Sequence, residues 1–152
     1  MGLRWVLAAV HSLALGIGLG AIWARRRALL GPLDAPGLRR VFYADAWWGA
    51  SAGLWIATGL LRAFAGFEKG AAYYLHNHLF LTKMAFLVAI LLLELGPMMA
   101  LIRWRRALAR GLAPETGRAA AYARASLLQA ALVVLMVFLA TGMARGLGAA
   151  PP

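Results

Sequence analysis

The chain has 152 residues, is 63% hydrophobic and carries a formal net charge of +11, with no cysteine and a mean hydropathy of +0.74. Too little polar surface remains to cover an ordinary soluble domain of that length. Without cysteine, disulfides, thiolate metal sites, iron–sulfur clusters and thiol catalysis are excluded.

Four apolar stretches, at about 5–23, 46–64, 79–102 and 125–143, reach or approach the ~20 residues a helix needs to cross a ~30 Å hydrocarbon core. The expected fold is all-α, an integral membrane four-helix bundle forming one domain, with no room for a separate soluble unit. Basic residues gather between the spans. Arg25, Arg26, Arg27, Arg39 and Arg40 fall between the first two. Arg103, Arg105, Arg106, Arg110, Arg118 and Arg124 fall between or at the edges of the last two. The other side has only Arg4, Arg62, Lys69 and Arg145. Retention of arginine in the cytoplasm predicts a multi-pass cytoplasmic (inner) membrane protein with both termini outside. Anionic lipid headgroups are the natural partners of its arginine-rich loops. The charge belongs to loops rather than to a folded face, so nucleic acid is not an expected partner; a homo-oligomer or a membrane-complex partner stays open. The first span could be read as a cleaved signal, but Arg25–Arg27 follow it directly and oppose translocation.

Along the chain, Ser12, Gly16 and Gly20 recur every four residues on the first span and predict a close backbone approach there. Trp5 and Trp23 bracket that span, and Trp47, Trp48 and Trp104 sit where an interfacial belt is expected. The first connection, 24–45, contains Gly31-Pro32 and Ala35-Pro36-Gly37 and so must turn. On the second span Trp48, Trp55 and Arg62 repeat every seven residues, with Ser51, Thr58 and Gly59 beside them, and this polar seam should face protein. An outward connection at 65–78 holds Glu68-Lys69-Gly70 and the run from Tyr73 to His78. Pro114 is placed to open the fourth helix, and the tail from Arg145 to Pro152 reads as disordered.

The third span carries two charges, Lys83 and Glu94. A central charge costs about 2.5–3.5 kcal/mol on insertion scales, against about 0.3–0.6 returned by each large apolar residue. Lys83 is therefore tolerated only by snorkelling, by neutralisation or in a polar bundle interior. Glu94 lies eleven residues on and His76 seven residues back, so the three form one stripe if the helix is continuous from His76. Lys83 and Glu94 would be ~16 Å apart along the axis and each needs another partner. His11 on the first helix, His76 and His78, Lys83 and Arg62 gather toward the outer half, with Thr58 and Trp55 nearby.

Such a cluster suits a b-type haem held by two histidines, with Arg or Lys for its propionates. His11 with His76 or His78 meets that need if the third helix starts near residue 73; Lys83 is the other candidate for the ligand opposite His11, and Arg62 is the anion partner. If it starts at Leu79, the depths differ by ~8 Å and bis-histidine ligation fails. A metal ion on His11, His76 and His78 is a weaker reading.

The run Tyr73-Tyr74-Leu75-His76-Asn77-His78-Leu79-Phe80-Leu81-Thr82-Lys83-Met84, with Phe42-Tyr43-Ala44-Asp45, Trp47-Trp48-Gly49 and Leu54–Leu60, resembles an uncharacterised bacterial family of predicted membrane proteins, a domain of unknown function. That resemblance implies four spans and no named activity. More distantly, His11, Thr58-Gly59 and Lys83–Leu87 are similar to positions in four-helix proteins of the copper-resistance D type and the membrane protoporphyrinogen oxidase type. This similarity implies that His11 and Lys83 belong to a cofactor or substrate site. The chain departs from the oxidase pattern at Leu81, where a histidine often stands. Haem or a related redox ligand, small-ion (copper) transport with Lys83 and Glu94 as stations on a polar path, and a non-catalytic subunit of a membrane complex are the three functions left in play.

Overall fold

A computed structural model describes residues 2–65 and 74–148. Four long helices account for most of them: α1 Gly2–Leu30, α2 Ala35–Phe64, α3 His78–Ala109 and α4 Ala119–Ala144. The expected all-helical class is met. Each helix runs further than its apolar core, because arginine is a good helix former and nothing in Arg25–Arg27 or Arg103–Arg106 stops one.

The first connection shrinks accordingly from the expected 24–45 to residues 31–34. Asp34 closes it, accepting a 2.8 Å bond from the Gly37 N–H as the cap of α2, with Pro36 inside the first turn, where its missing N–H costs nothing. Pro114 does not open the last helix; α4 starts at Ala119 after a turn with Gly111 at φ +72°, and the Trp104 indole donates to the Glu115 carbonyl across that loop at 2.9 Å.

α1, α3 and α4 are long and apolar enough to span a membrane. α2, though 30 residues long, falls short of that measure, which corrects the expectation of four apolar spans. The reason is its polar seam: Trp48, Ser51, Trp55 and Thr58 are all buried against neighbouring helices rather than offered to lipid.

The closely packed pairs are α1 with α2, α1 with α4, and α3 with α4. α2 and α3 therefore face each other across the loosest seam of the bundle. On α1 the packed stripe is Ala14, Gly18, Ala21, Ile22, Arg25 and Leu29. The Ser12, Gly16, Gly20 row points the other way, and a Cβ at Gly16 or Gly20 would meet nothing within 4 Å. The close approach occurs instead at Gly18, where a Cβ would sit 3.3 Å from the Ser51 Cβ. Trp5, Trp23 and Trp47 are exposed as a belt requires, whereas Trp48 and Trp104 are buried. The segment Glu68-Lys69-Gly70, Tyr73 and the end Pro151-Pro152 lie outside the described residues.

The tail corrects another expectation. Through Gly148 it folds back onto the start of α3: the His78 N–H donates to the Gly148 carbonyl at 3.2 Å and the Asn77 amide to the Leu147 carbonyl at 3.2 Å. Asn77 also caps α3, accepting from the Leu79 and Phe80 N–H groups. One side chain thus starts a helix and ties the end of α4 to it. Asn77→Ala is expected to cost about 1 kcal/mol. Hydrogen–deuterium exchange should rise together at 78–80 and 145–148; protection unchanged at the tail would contradict the tie.

Candidate functional site

The bundle interior carries two polar levels, an inner one nearer the arginine-rich end and an outer one nearer the start of α3. The inner one is built around Arg25, which is fully buried on α1 although its position in a run of three arginines suggested a loop. All five of its N–H donors are used. Nη1 donates to Glu94 Oε1 at 2.6 Å and to Asp45 Oδ1 at 3.0 Å. Nη2 donates to Glu94 Oε2 at 2.8 Å and Gln129 Oε1 at 3.0 Å, and Nε to Ser126 Oγ at 3.2 Å. Glu94 Oε2 further accepts from the Trp48 indole at 3.1 Å and the Gln129 amide at 2.7 Å. Arg105 closes the charge balance on the other oxygen of Asp45 at 3.0 Å. Two cations meet two carboxylates, and every helix contributes. Glu94 needed a partner and has the bidentate one that guanidinium geometry favours. Sequence reasoning missed Arg25, Asp45, Gln129 and Ser126. The available signal was phase: Arg25 follows Ala14, Gly18 and Ala21 at packing spacing, while Arg26 and Arg27 do not.

The outer level holds the predicted site residues, in part. His11, Trp55 and Lys83 line one cleft of about 40 Å³ between α2 and α3, with Gly59 on one wall and Met84 and Met136 among its apolar lining. The His11 ring stacks on Trp55 at 5.7 Å. Its Nδ1 lies 3.0 Å from Thr58 Oγ1. That hydroxyl already donates to the Leu54 carbonyl at 2.7 Å, so it accepts from His11, and the ring carries its proton on Nδ1. Nε2 is then the lone-pair nitrogen. Arg62, half-buried in the last turn of α2, and Lys83 both act on His11 as neighbouring positive charges.

Two donors in this cleft stand out. The buried Trp55 indole N–H has no hydrogen-bond partner, and the half-buried Lys83 ammonium, on the same cleft, makes no hydrogen bond or ion pair among the described residues. Neither group can accept a bond, so only an acceptor satisfies them.

His76 and His78 do not join them. α3 begins at His78, so His76 precedes the helix and the expected His76–Lys83–Glu94 stripe does not extend to it. Both histidines are exposed at the mouth of the bundle. His78 precedes Lys83 by five residues, ~7.5 Å by helical rise. This is the late start for which bis-histidine ligation with His11 fails. The cleft is also far below the ~300 Å³ of a small-ligand pocket, so the residues as placed do not fit a haem. Among the described residues, no group of three or more His, Asp or Glu side chains is placed to hold a metal ion.

Between the levels lies an apolar layer of Ala21, Ile22, Ile90, Ala130 and Val133. His11 and Arg25 are fourteen residues apart, ~21 Å along α1. These apolar side chains lie between the levels of Lys83 and Glu94.

The model of one protein family, described as Predicted membrane protein (DUF2214), matches residues 3–148. The chain belongs to this family. Its description names no activity, and neither curated proteins nor solved structures gave a match. Both polar levels fall inside the matched range, so the family's span takes in the whole bundle described here.

Proposed function

We propose that the protein binds a membrane-soluble ligand carrying a carboxylate or quinone-type carbonyl oxygen, which enters the outer cleft from the lipid between α2 and α3. The observation that carries this reading is the orphaned Trp55 indole N–H, with the Lys83 ammonium on the same cleft, beside the α2–α3 seam that is not closely packed. A ligand oxygen would accept from both, and His11 Nε2 would receive any hydroxyl proton the ligand brings. The cleft as it stands holds only a small polar head, since a water needs roughly 10–15 Å³ of the same kind of volume. Met84 and Met136 are unbranched and can give way to a larger ring. The same cationic character speaks against a copper ion in this cleft.

The reading also takes the arginine-rich end as cytoplasmic, in an inner membrane, with α2 crossing as the partner of α1 and both termini outside. A chain without cysteine makes that directly testable: single cysteines at Leu3 and at Leu112 should be labelled from opposite sides of intact cells.

The binding test uses the full chain in neutral-lipid nanodiscs with photoreactive analogues of a long-chain carboxylate and of an isoprenoid quinone. Crosslinks are expected at Leu60, Met84 or Leu87, and labelling should fall about tenfold in Trp55→Phe and in Lys83→Leu, as loss of a charge-assisted or buried bond of ~1.4 kcal/mol implies. Labelling that survives both substitutions overturns the reading. Haemin added to the same sample is expected to give no Soret band; a band abolished by His11→Leu would replace this ligand class with haem.

A further inference from the structure

We infer that the outside of the α1–α2 pair, at the arginine-rich end, is a docking groove for one anionic phospholipid. This inference does not rest on the α2–α3 cleft. The groove has a volume of about 660 Å³, within the range of small-molecule sites. Its floor is made of small residues of α1, Gly20 and Ala24 among them, and Trp47 and Tyr43 of α2 form a wall. At one end stand Arg27, near the close of α1, and Arg40, near the start of α2.

Three features match a lipid. First, the helices are antiparallel and joined by residues 31–34, so the two guanidinium groups come from opposite chain directions to one level. Among the described residues neither has a carboxylate within ion-pairing distance; the nearby acids are committed, Asp34 to the Gly37 N–H and Asp45 to Arg25 and Arg105. A phosphodiester supplies the missing anion, in the way that basic pockets between membrane helices take acidic headgroups. Second, Tyr43 and Trp47 meet edge-on at 6.3 Å, with Tyr43 69% and Trp47 46% exposed, as rings at headgroup level do. Third, the groove reaches from Arg27 back to Ile17, ten residues or ~15 Å, about half the hydrocarbon thickness. That is the depth of one acyl chain in one leaflet.

Charge also argues against a second copy of the chain as occupant. A two-fold pair about the membrane normal would bring Arg27 and Arg40 against their own equivalents at the same level, four cations without an anion.

The test is native mass spectrometry of the full chain released from nanodiscs containing phosphatidylglycerol and phosphatidylcholine of identical acyl chains in equal amounts. One phosphatidylglycerol is expected to stay bound about tenfold more often than phosphatidylcholine. The double variant Arg27→Gln/Arg40→Gln should remove that preference. Arg39→Gln/Arg110→Gln, which deletes the same charge outside the groove, should keep it. Gly20→Leu should expel both lipids by filling the floor without disturbing the fold, since a Cβ there meets nothing within 4 Å. Equal retention of the two lipids, equal loss in both double variants, or a dimer that Gly20→Leu dissociates would each overturn the assignment.

Discussion

Replacing Arg25 by leucine is expected to destabilise the bundle by about 3–5 kcal/mol, the usual cost of removing one partner from a buried ion pair. The loss is one-sided. Asp45 keeps Arg105, but Glu94 loses both of its guanidinium bonds and stays beside the Trp48 indole and Gln129 with its charge uncompensated. Arg25→Lys should fall between, because an ammonium offers three donors where the site uses five and cannot bridge both oxygens of Glu94. The double variant Arg25→Leu/Glu94→Leu should recover most of the loss, since an apolar pair of similar size is often no worse than a buried salt bridge. Unfolding midpoints in detergent across these four proteins decide the matter. A single Arg25→Leu as stable as the parent would mean that Arg25 is not the hub of the inner level.

Gly37→Ala is expected to be nearly as damaging, for a steric reason. A Cβ at Gly37 would collide with the Pro32 carbonyl oxygen and lie 3.0 Å from Asp34 Oδ1. The first contact is with backbone inside a four-residue connection, so no side chain can swing aside. Relief requires the chain between α1 and α2 to shift, and with it the Asp34 cap. Overpacking of this kind costs about 1–3 kcal/mol, and the cap adds about 1. Asp34→Ala alone should cost only the cap. If Gly37→Ala unfolds no earlier than Asp34→Ala, the tight apposition of 32 and 37 is wrong.

Part of the candidate site was legible before any coordinates. Lys83 inside an apolar run, His11 six residues into the first helix and the seven-residue repeat Trp48, Trp55, Arg62 each marked a face turned toward protein, and His11, Trp55 and Lys83 do share a cleft. Insertion cost is a local property, so one stretch of sequence suffices to expose a group that needs shelter. His76 and His78 failed for an equally local reason that went the other way. Asn77 is a good cap, and it starts α3 too late to carry either histidine into the bundle.

Arg25 shows the opposite limit. Arg25, Arg26 and Arg27 are identical in composition and adjacent in the chain, yet one is fully buried, one lies over the Trp23 ring at 5.3 Å and one rims a lipid-facing groove. Successive residues on a helix are turned by ~100°, so which of the three points inward depends on where the neighbouring helices stand. The glycine rows make the same point: Ser12, Gly16, Gly20 and the stripe through Ala14 and Gly18 are equally permissive of close packing, and only the position of Ser51 on α2 selects the second.

By itself, then, the chain's own order of residues determined that this is a helical membrane protein with its basic residues gathered at one end, because hydrophobic length and charge bias act on each segment separately. Only the assembled bundle decided that Glu94 and Asp45 answer to Arg25, that the orphaned Trp55 indole and Lys83 share one cleft, and that an apolar layer lies between the polar levels. Those are properties of distance between helices, and no single helix carries them.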